Sequence, residues 1–421
     1  MLSLGDRLPT GEWHLDITAG LLEEKRIRFS TNARPDLDVL LIYDRVIVSA
    51  QFDFNEKPLT LMAPVSSPDD RISVSFGKAD IILFVNGEIY DEEWHAGALS
   101  CGECVLCEME ATLAKGALSR PEEPDVKSRF TGLDGWKPKG YNVFAGDCIP
   151  YVDGDTFHMF FLYDRRGHHS KWTLGAHQWA HISSKDLVHW EEHPIAIRIE
   201  DTSEGSICTG SIIKFGDIYR AYFCIRMTDR SPAKVTWADS KDLIHWERSS
   251  DSFLLKAPYE PVTARDPLAY FDEEEGLYHL LITTSINRED GFHGIIADFV
   301  SKDLSSWEDR PHLVEFDSTT RNQPACPDYF EKDGLWYLSN RDPQRINRYF
   351  YANGKRGPWL SIEDNFVLSK EYIVPKSAIF NGKIIFAAFK KDVFERYYGG
   401  TLHLFEAIPD GNGRLDFKMI K

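Results

Sequence analysis

The heptapeptide Ser184-Lys-Asp-Leu-Val-His-Trp190 recurs twice in this chain, as Ser240-Lys-Asp-Leu-Ile-His-Trp246 and as Ser301-Lys-Asp-Leu-Ser-Ser-Trp307. The copies begin 56 and 61 residues apart. Repeats of roughly 50 residues made of short strands are typical of propeller blades, because one small sheet cannot bury both of its faces alone. The Asp-Leu pair is expected to close a turn, and the Trp is expected to pack between neighbouring blades.

Two further segments keep the repeat length without the Trp signature, at residues 322–368 and from residue 372 to the C-terminus. Each places a glycine turn before an aromatic or apolar strand, at Asp333-Gly334 and at Asn381-Gly382. With the three units that carry the repeated heptapeptide, these two segments make five predicted blades. The sequence therefore predicts a five-bladed β-propeller over residues 123–421, in which each blade offers its first strand to a central funnel.

Residues 1–122 have the pattern of short strands separated by turns. Residues 26–30, 37–43, 45–49 and 81–85 are strand-like, and the last of these runs into Asn86-Gly87, a strong hairpin signal. Helical periodicity is absent, so an N-terminal β-sandwich is predicted to precede the propeller in an all-β chain.

Two details refine the N-terminal prediction. The segment 80–94 resembles a hairpin of the concanavalin or laminin-G type of jelly roll. Residues 120–125, Arg-Pro-Glu-Glu-Pro-Asp, are predicted to be a linker, because two prolines and three acids discourage packing.

Length and charge limit the classes of function. With 421 residues, the chain exceeds the size at which one core stops growing, so about two domains are expected. The formal net charge of −18 opposes binding to nucleic acid or to an anionic membrane surface. A neutral or cationic small partner is favoured, and the oligomeric state is left open, a homodimer included.

The termini and cysteines bear on the compartment. The first residues lack the basic and apolar regions of a secretory signal, and no apolar run approaches the roughly 18 residues of a membrane span. Seven cysteines, an odd number, suit a reducing environment. A cytoplasmic protein is expected.

Cys101, Cys104 and Cys107 are spaced as C-x-x-C-x-x-C. A metal or cluster site would need a fourth ligand, for which His95 or neighbouring acids are the local candidates. The alternative is a strand in which the cysteines pack as small hydrophobic residues, and this interpretation is preferred. The sequence therefore predicts no metal and no cofactor.

Four short motifs open the predicted blades one to four in order: Asp147-Cys-Ile-Pro150, Cys208-Thr-Gly-Ser211, Arg265-Asp-Pro267 and Ala325-Cys-Pro-Asp328. Together with His177-Gln-Trp-Ala-His181, they resemble the superfamily of glycoside hydrolase families 32 and 43. The resemblance is strongest to the family 32 fructosidases, which show Asn-Asp-Pro-Asn-Gly, Phe-Ser-Gly-Ser, Arg-Asp-Pro and Glu-Cys-Pro-Asp at these places. It covers the predicted propeller and leaves the N-terminal region uncovered.

The resemblance implies a glycosidase that cleaves a small β-fructofuranoside, such as sucrose or a short fructo-oligosaccharide. Asp147 would be the nucleophile, and Asp266 would stabilise the transition state by holding sugar hydroxyls, with Arg265 keeping Asp266 ionised. Catalysis would be double displacement with retention, for which nucleophile and acid carboxyls lie about 5–5.5 Å apart.

The fourth motif departs from the family at Ala325, where the family has its acid/base Glu. An alanine cannot donate a proton, so most of the roughly 10²–10⁴-fold contributed by general acid catalysis should be missing. Three explanations compete: an engineered Glu-to-Ala change, favoured because Cys326-Pro-Asp328 is intact; another acid, with Asp328 or Glu204 as candidates; or loss of hydrolysis with retained sugar binding.

Further residues are candidates for contacts with substrate. Thr209 and Ser211 can hydrogen-bond hydroxyls, although Thr-Gly-Ser is also common in turns. Asp328 is a further polar candidate. Aromatic side chains could either stack on a sugar face or pack in the core, and the candidates are Trp172, His177 and Trp179. A basic loop could be a solvated hairpin tip or a subsite for a polar or anionic aglycone, and comprises Arg165, Arg166, His168, His169 and Lys171.

Three alternatives to a retaining fructosidase remain at this point. One is an inverting arabinofuranosidase or xylosidase like those of family 43, in which the first Asp acts as a base through water. Another is a non-catalytic carbohydrate-binding protein. The third is a structural scaffold with no ligand.

Overall fold

Every regular element in the described part of the chain is a β-strand. Within that part, no helix has the length and apolarity needed to cross a membrane. The computed structural model describes residues 5–9, 11–20, 24–30, 35–42, 44–52, 58–95, 99, 103–107, 110–140, 143–165, 177–316, 322–362, 364–391 and 398–421.

Ten strands precede the predicted linker and form two antiparallel five-stranded sheets, ordered β10-β1-β6-β7-β8 and β5-β4-β3-β2-β9. Along β4, the alternate residues Val46, Val48 and Ala50 are fully buried, and side chains from both sheets meet in one apolar core. The strands are β1 (Trp13–Thr18), β2 (Lys25–Ser30), β3 (Pro35–Ile42), β4 (Arg45–Ala50), β5 (Leu59–Pro64), β6 (Arg71–Phe76), β7 (Asp80–Val85), β8 (Glu88–Trp94), β9 (Glu103–Cys107) and β10 (Ala111–Lys115).

The strands predicted in this region are present, and so is the hairpin at Asn86-Gly87. Both turn residues have positive φ, 53° and 85°, as the favoured two-residue hairpin turns require. Cys104 and Cys107 lie on β9, as the strand interpretation of the cysteine triplet predicts. Cys101 and the side chains of all three cysteines lie outside the described residues.

Twenty strands follow. They are β11 (Ser128–Thr131), β12 (Val143–Asp153), β13 (Thr156–Arg165), β14 (Gln178–Ser184), β15 (His189–Glu192), β16 (Glu204–Phe215), β17 (Ile218–Met227), β18 (Lys234–Ser240), β19 (Glu247–Arg248), β20 (Arg265–Asp272), β21 (Leu277–Arg288), β22 (Gly291–Ser301), β23 (Glu308–Phe316), β24 (Ala325–Lys332), β25 (Leu335–Arg341), β26 (Asn347–Ala352), β27 (Tyr372–Phe380), β28 (Lys383–Lys391), β29 (Gly400–Pro409) and β30 (Leu415–Ile420).

These strands form consecutive antiparallel meanders, which we number one to five: β12–β15, β16–β19, β20–β23, β24–β26 and β27–β30. β11 adds to the outer edge of the first meander by pairing with β15. The first and fifth meanders belong to one nine-stranded sheet, because Ala145 on β12 pairs with Gly400 on β29. The end of the chain thus returns to the beginning of this region.

The repeated heptapeptide forms the same turn three times. Ser184 Oγ accepts hydrogen bonds from the amides of Asp186 and Leu187, at 3.2 and 2.8 Å. Asp186 Oδ1 accepts hydrogen bonds from the amides of Val188 and His189. The copies at Ser240 and Ser301 repeat the seryl contacts, and the Leu has a φ of 63°, 65° and 63° in the three turns. The predicted turn is confirmed.

Two of the repeated tryptophans pack against the preceding meander. The ring centroid of Trp246 lies 5.7 Å from that of Phe160 on β13, edge to face. Trp307 meets Tyr222 on β17 at the same distance and in the same orientation. The repeat therefore supplies both a turn and an aromatic contact between successive meanders.

The N-terminal sheets contact the first meander through a buried polar cluster. Arg165 donates to Asp91 at 2.9 Å and lies 3.4 Å from Glu92, which also pairs with Arg120. Arg165, predicted to belong to a solvated or ligand-binding loop, is in fact buried here. The predicted linker also contacts the first meander, because Glu123 pairs with Arg198 at 2.9 Å.

Candidate active site

The first strand of every meander carries a β-bulge at the same place. In each case two residues of this strand oppose one residue of its neighbour, so one residue is extra and the side chains are turned out of the regular alternation. Bulges of this kind are common beside active sites, because they redirect a side chain. The bulged pairs are Gly146-Asp147, Cys208-Thr209, Asp266-Pro267, Cys326-Pro327 and Val374-Pro375.

Three of the bulges hold a residue in a conformation that L-residues seldom adopt. Asp266, Cys326 and Val374 have φ values of 55°, 49° and 40°, and each precedes a proline. Positive φ costs of order 1–3 kcal/mol at a non-glycine residue, and such strain concentrates at functional sites. Proline fits at these bulges because the ladder there does not need its missing N–H.

The bulges surround a cavity of about 630 Å³. Residues from all five first strands line it, including Asp147, Thr209, Asp266, Cys326 and Val374. Its charged lining residues in the described part of the chain are Asp147, Asp266, Arg226, Arg265, Arg341, Arg345 and Lys391.

Asp147 is held by hydroxyl groups from two other meanders. Its Oδ2 accepts from Thr209 Oγ1 at 2.6 Å, and its Oδ1 accepts from the Tyr398 hydroxyl at 2.6 Å. The Asp147 amide in turn donates to the Tyr398 oxygen at 2.8 Å. Burial, and then the charge of Asp147, raise the pKa of Tyr398 well above its usual value, so the hydroxyl remains a donor.

Gly146 and Gly210 have no side chain because neighbouring groups occupy the space. A Cβ on Gly146 would overlap the Tyr398 ring. A Cβ on Gly210, next to Thr209, would overlap the backbone carbonyl of Tyr222. Gly146 thus leaves room for the Tyr398 hydroxyl to reach Asp147, and Gly210 allows the strand of Thr209 to approach the Tyr222 carbonyl.

Cys326 joins the two predicted catalytic carboxylates. Its amide donates to Asp266 Oδ2 at 2.8 Å, and its thiol lies 3.3 Å from Asp147 Oδ2. Burial raises the pKa of the Cys326 thiol, and the charges of Asp147 and Asp266 raise it further, so the thiol stays protonated. Asp147 and Asp266 therefore converge on one cavity from the first and third meanders.

Arg265 anchors the strand that carries Asp266. Its guanidinium donates to the Gln323 side chain and, at 2.8 Å, to the carbonyl of Pro324, while its Nε lies 3.4 Å from Asp266 Oδ2. Burial lowers the pKa of Arg265, and Asp266 opposes that effect. Arg265 thus fixes the segment that leads into Ala325.

Ala325 lines the cavity beside these carboxylates and is the cross-strand partner of Arg341. Among the described residues, the cavity contains no carboxyl group besides Asp147 and Asp266. The substitute acids suggested by the sequence are both engaged elsewhere. Asp328 Oδ2 accepts from the amide and hydroxyl of Ser377, and Glu204 holds Arg248 at 2.6 Å.

Several residues predicted to contact substrate are not part of the cavity wall. Ser211 Oγ accepts from the Ala269 amide at 2.8 Å and so links two first strands. Trp179 is fully buried and donates to the Cys208 carbonyl at 2.9 Å, as its core interpretation required. His177, also fully buried, contacts Asp164 at 2.9 Å and stacks on Tyr398. Asp328 is also not among the lining residues and makes the contact with Ser377 described above.

Trp172 and the basic loop beyond Arg165 lie outside the described residues. The residues that sequence reasoning missed are Tyr398, Cys326 as a bridge, and the arginines Arg226, Arg341 and Arg345. Tyr398 stands 251 residues from Asp147 and belongs to no recognisable motif. Cys326 was visible inside the fourth motif, but only the bulge reveals that it faces both carboxylates.

The sequence matches a family model over residues 148–356, that of the "Glycosyl hydrolases family 32 N-terminal domain". Asp147 directly precedes this match. A curated relative, the insoluble isoenzyme of beta-fructofuranosidase from Arabidopsis thaliana, is 25% identical over 228 residues, which is 50% of this chain and 36% of that protein. Sucrose-6-phosphate hydrolase from Escherichia coli is 25% identical over 209 residues, which is 47% of this chain and 41% of that protein. The chain thus spans about two fifths of these relatives or less.

Solved structures agree at the level of fold. Fructan 1-exohydrolase IIa from Cichorium intybus superimposes with a TM-score of 0.55 at 16% identity, covering 68% of this chain and 60% of that chain. Sucrose-6-phosphate hydrolase from Lactobacillus gasseri gives a TM-score of 0.52 at 15% identity, covering 66% of this chain and 63% of that chain. The solved structures show the fold alone, and the sequence match shows the family: residues 148–356 of the chain belong to glycosyl hydrolase family 32.

Proposed function

We propose that this protein is a glycosidase acting on a small β-fructofuranoside, with Asp147 as nucleophile and Asp266 as the group that holds sugar hydroxyls. The observation that carries the proposal is the convergence of these carboxylates through Cys326 on one cavity. Two carboxyl groups at one sugar-sized cavity are what an oxocarbenium-like transition state requires for stabilisation. The names of the relatives support a fructofuranoside as substrate.

The proposed chemistry is double displacement. An oxygen of Asp147 attacks the anomeric carbon as the bond to the leaving oxygen breaks, which gives a covalent glycosyl ester. Water then attacks the same carbon while its bond to Asp147 breaks, which returns Asp147 as a carboxylate. The proton that water loses passes to the departed leaving group through solvent, and the net outcome is retention. Thr209 and Tyr398 donate to Asp147, and so orient the carboxylate for the first step.

The absence of a general acid at Ala325 limits the substrates that this site can cleave. Without a carboxylic acid at this position, an alkoxide leaving group must depart without a proton, which is slow. A leaving group of low basicity needs no such proton. We therefore expect turnover of activated furanosides to exceed that of sucrose by a wide margin.

The proposal includes the architecture. The five meanders would be five propeller blades around the cavity, residues 123–421 the catalytic domain, and residues 1–122 a β-sandwich. The bulge shared by all five first strands and the pairing of Ala145 with Gly400 support this arrangement.

The test uses an aryl β-fructofuranoside with the wild-type protein, Asp147→Asn and Asp303→Asn. Asp303 is an exposed turn residue far from the cavity and serves as the matched control. We expect aryl release by the wild type and the control and a loss of at least about 10³-fold in Asp147→Asn. NMR of the first-formed product should show the β-anomer, and an inverted product contradicts the double-displacement mechanism.

Ala325 favours a second candidate, a protein that binds fructofuranosides without cleaving them. This candidate predicts heat on titration with sucrose and no aryl release by the wild type. Measurable wild-type turnover that depends on Asp147 eliminates it.

A further inference from the structure

A group of arginines lines the cavity around the predicted catalytic carboxylates. Arg226, Arg341 and Arg345 join Arg265 and Lys391, so five cationic side chains accompany two carboxylates among the described residues of the cavity lining. This local excess of positive charge contrasts with the formal net charge of −18 for the whole chain. It calls for a ligand that brings negative charge into the cavity.

Arg341 and Arg345 are cationic side chains of the cavity lining without a direct polar contact. Within the described part of the chain, neither guanidinium makes a hydrogen bond or an ion pair. The adjacent carboxylate of Asp342 is already engaged, because it accepts from Arg348 and from the Ile346 amide, each at 2.8 Å. Burial lowers the pKa of Arg341, and the charge of Asp147 opposes this effect. Burial and then repulsion from Arg341 and Arg226 lower the pKa of Arg345, and the charge of Asp266 opposes them. An anion between them would relieve this cost.

Arg341 stands at the place where leaving-group chemistry is expected. It is the cross-strand partner of Ala325, and directly paired residues have Cβ atoms about 4.5–5.5 Å apart. Ala325 occupies the position at which the family resemblance puts the acid that would protonate the leaving oxygen. A fixed cation thus lies beside the site from which a proton donor is missing.

We propose that the leaving group is a phosphate attached to the anomeric oxygen, bound by Arg341 and Arg345, and that it departs without a general acid. This inference rests on the proposed function, because it assigns the leaving group of that reaction. Guanidinium groups bind phosphate in a bidentate manner and always remain charged. They can therefore compensate the charge that a carboxylic acid would otherwise neutralise with a proton.

The balanced steps start from the sugar phosphate as its monoanion. Asp147 forms a bond to the anomeric carbon while the bond between that carbon and the phosphate oxygen breaks. The electron pair leaves with hydrogen phosphate, now a dianion between the arginines. Water then attacks the anomeric carbon, its proton passes to the hydrogen phosphate, and Asp147 is released as a carboxylate. The products are the free sugar and dihydrogen phosphate.

The anion subsite is tested without turnover by calorimetric titration of the whole protein with inorganic phosphate. We expect binding by the wild type, at least about tenfold weaker binding by Arg341→Met and Arg345→Met, and unchanged binding by Arg414→Met. Arg414 is exposed and paired with Asp416, so it is the matched control. No phosphate binding by the wild type, or equal loss in the control, overturns the subsite.

The leaving-group role is tested by rates on β-fructofuranosyl 2-phosphate, sucrose 6-phosphate and an aryl β-fructofuranoside. We expect the 2-phosphate to be cleaved at least about tenfold faster than the 6-phosphate, and Arg341→Met to lower the ratio of 2-phosphate to aryl rates. Faster cleavage of the 6-phosphate contradicts the inference, because the phosphate would then lie elsewhere on the aglycone. Phosphate binding without turnover of any substrate contradicts the proposed function and leaves only an anion site.

Discussion

Asp147 and Tyr398 exchange two hydrogen bonds across 251 residues of sequence: the tyrosine hydroxyl donates to Asp147 Oδ1 at 2.6 Å and accepts from the Asp147 amide at 2.8 Å. The bulge at Gly146-Asp147 turns this amide away from the β12–β13 ladder and toward the hydroxyl. The predicted nucleophile therefore depends on a residue that lies just before β29.

Tyr398→Phe should lower kcat on an aryl β-fructofuranoside by roughly 10–100-fold. A hydrogen bond to a charged group contributes about 1.5–3 kcal/mol, and its removal leaves both the carboxylate and the bulge amide of Asp147 without this partner. Steady-state kinetics at constant pH measure the effect.

Tyr337→Phe is the control for that measurement. Tyr337 is fully buried in another core cluster, and its hydroxyl has no hydrogen-bond partner in the described chain. Removal of the Tyr337 hydroxyl should leave kcat within about twofold of the wild-type value. If both variants lose activity equally, the Asp147–Tyr398 contact has no specific role.

Ala325→Glu should raise kcat on sucrose by roughly 10²–10⁴-fold, because it supplies the missing general acid at the cavity wall. The effect on an aryl substrate should be much smaller, since that leaving group needs little protonation. Ala325→Gln has nearly the same shape but no proton to donate, so it should leave sucrose turnover unchanged. Equal gains in Glu and Gln variants would attribute the effect to packing.

Glu92→Gln should reduce the acid sensitivity of the fold. Burial alone raises the pKa of Glu92, but Arg120, Arg165 and Arg198 outweigh it and lower the pKa from 4.5 to about 2. Since the folded pKa is depressed, the stabilisation is present above pH 4.5 and is lost as the pH falls toward 2. The difference corresponds to roughly 3 kcal/mol.

Urea denaturation at pH 6 and at pH 3 measures this dependence. Wild type should lose stability between the two pH values, and Glu92→Gln should lose less of it while being less stable at pH 6. Glu88→Gln, exposed at the start of the same strand, is the control and should follow the wild type. Identical pH profiles for the wild type and Glu92→Gln would contradict the prediction.

Gly210→Ala should destabilise the protein by about 3–5 kcal/mol, because the new methyl group would overlap the carbonyl of Tyr222, a backbone atom that cannot rotate away. Gly205→Ala, on the same strand, meets its nearest atom at 3.1 Å and should cost far less. Urea midpoints of both variants give the comparison. Similar midpoints would show that the backbone around Thr209 adapts.

The sequence predicted those features that local chemistry determines. Ser184, Asp186 and Leu187 form a turn from their own side chains and backbone, so three copies of the motif predicted three identical turns. The same applies to Asn86-Gly87 and to the all-β class. Asp147 and Asp266 could be singled out because each belongs to a short motif, and the structure brings both to one cavity.

The remainder depends on contacts between distant segments. Nothing near Tyr398 indicates that it reaches Asp147, and nothing near Arg341 indicates that it pairs with Ala325 across β24 and β25. Trp179 and His177 were indistinguishable from ligand-stacking residues until their complete burial was visible. The net charge averages over the whole surface, so it contains no information about the arginines that line one cavity.

The order of the strands has a consequence during synthesis. Asp147 is synthesised early, but Tyr398, whose hydroxyl donates to the Asp147 carboxylate, is synthesised only after β28. A chain cut short before Tyr398 would carry both carboxylates without this hydroxyl, so we expect the Asp147 carboxylate to be less well oriented in it.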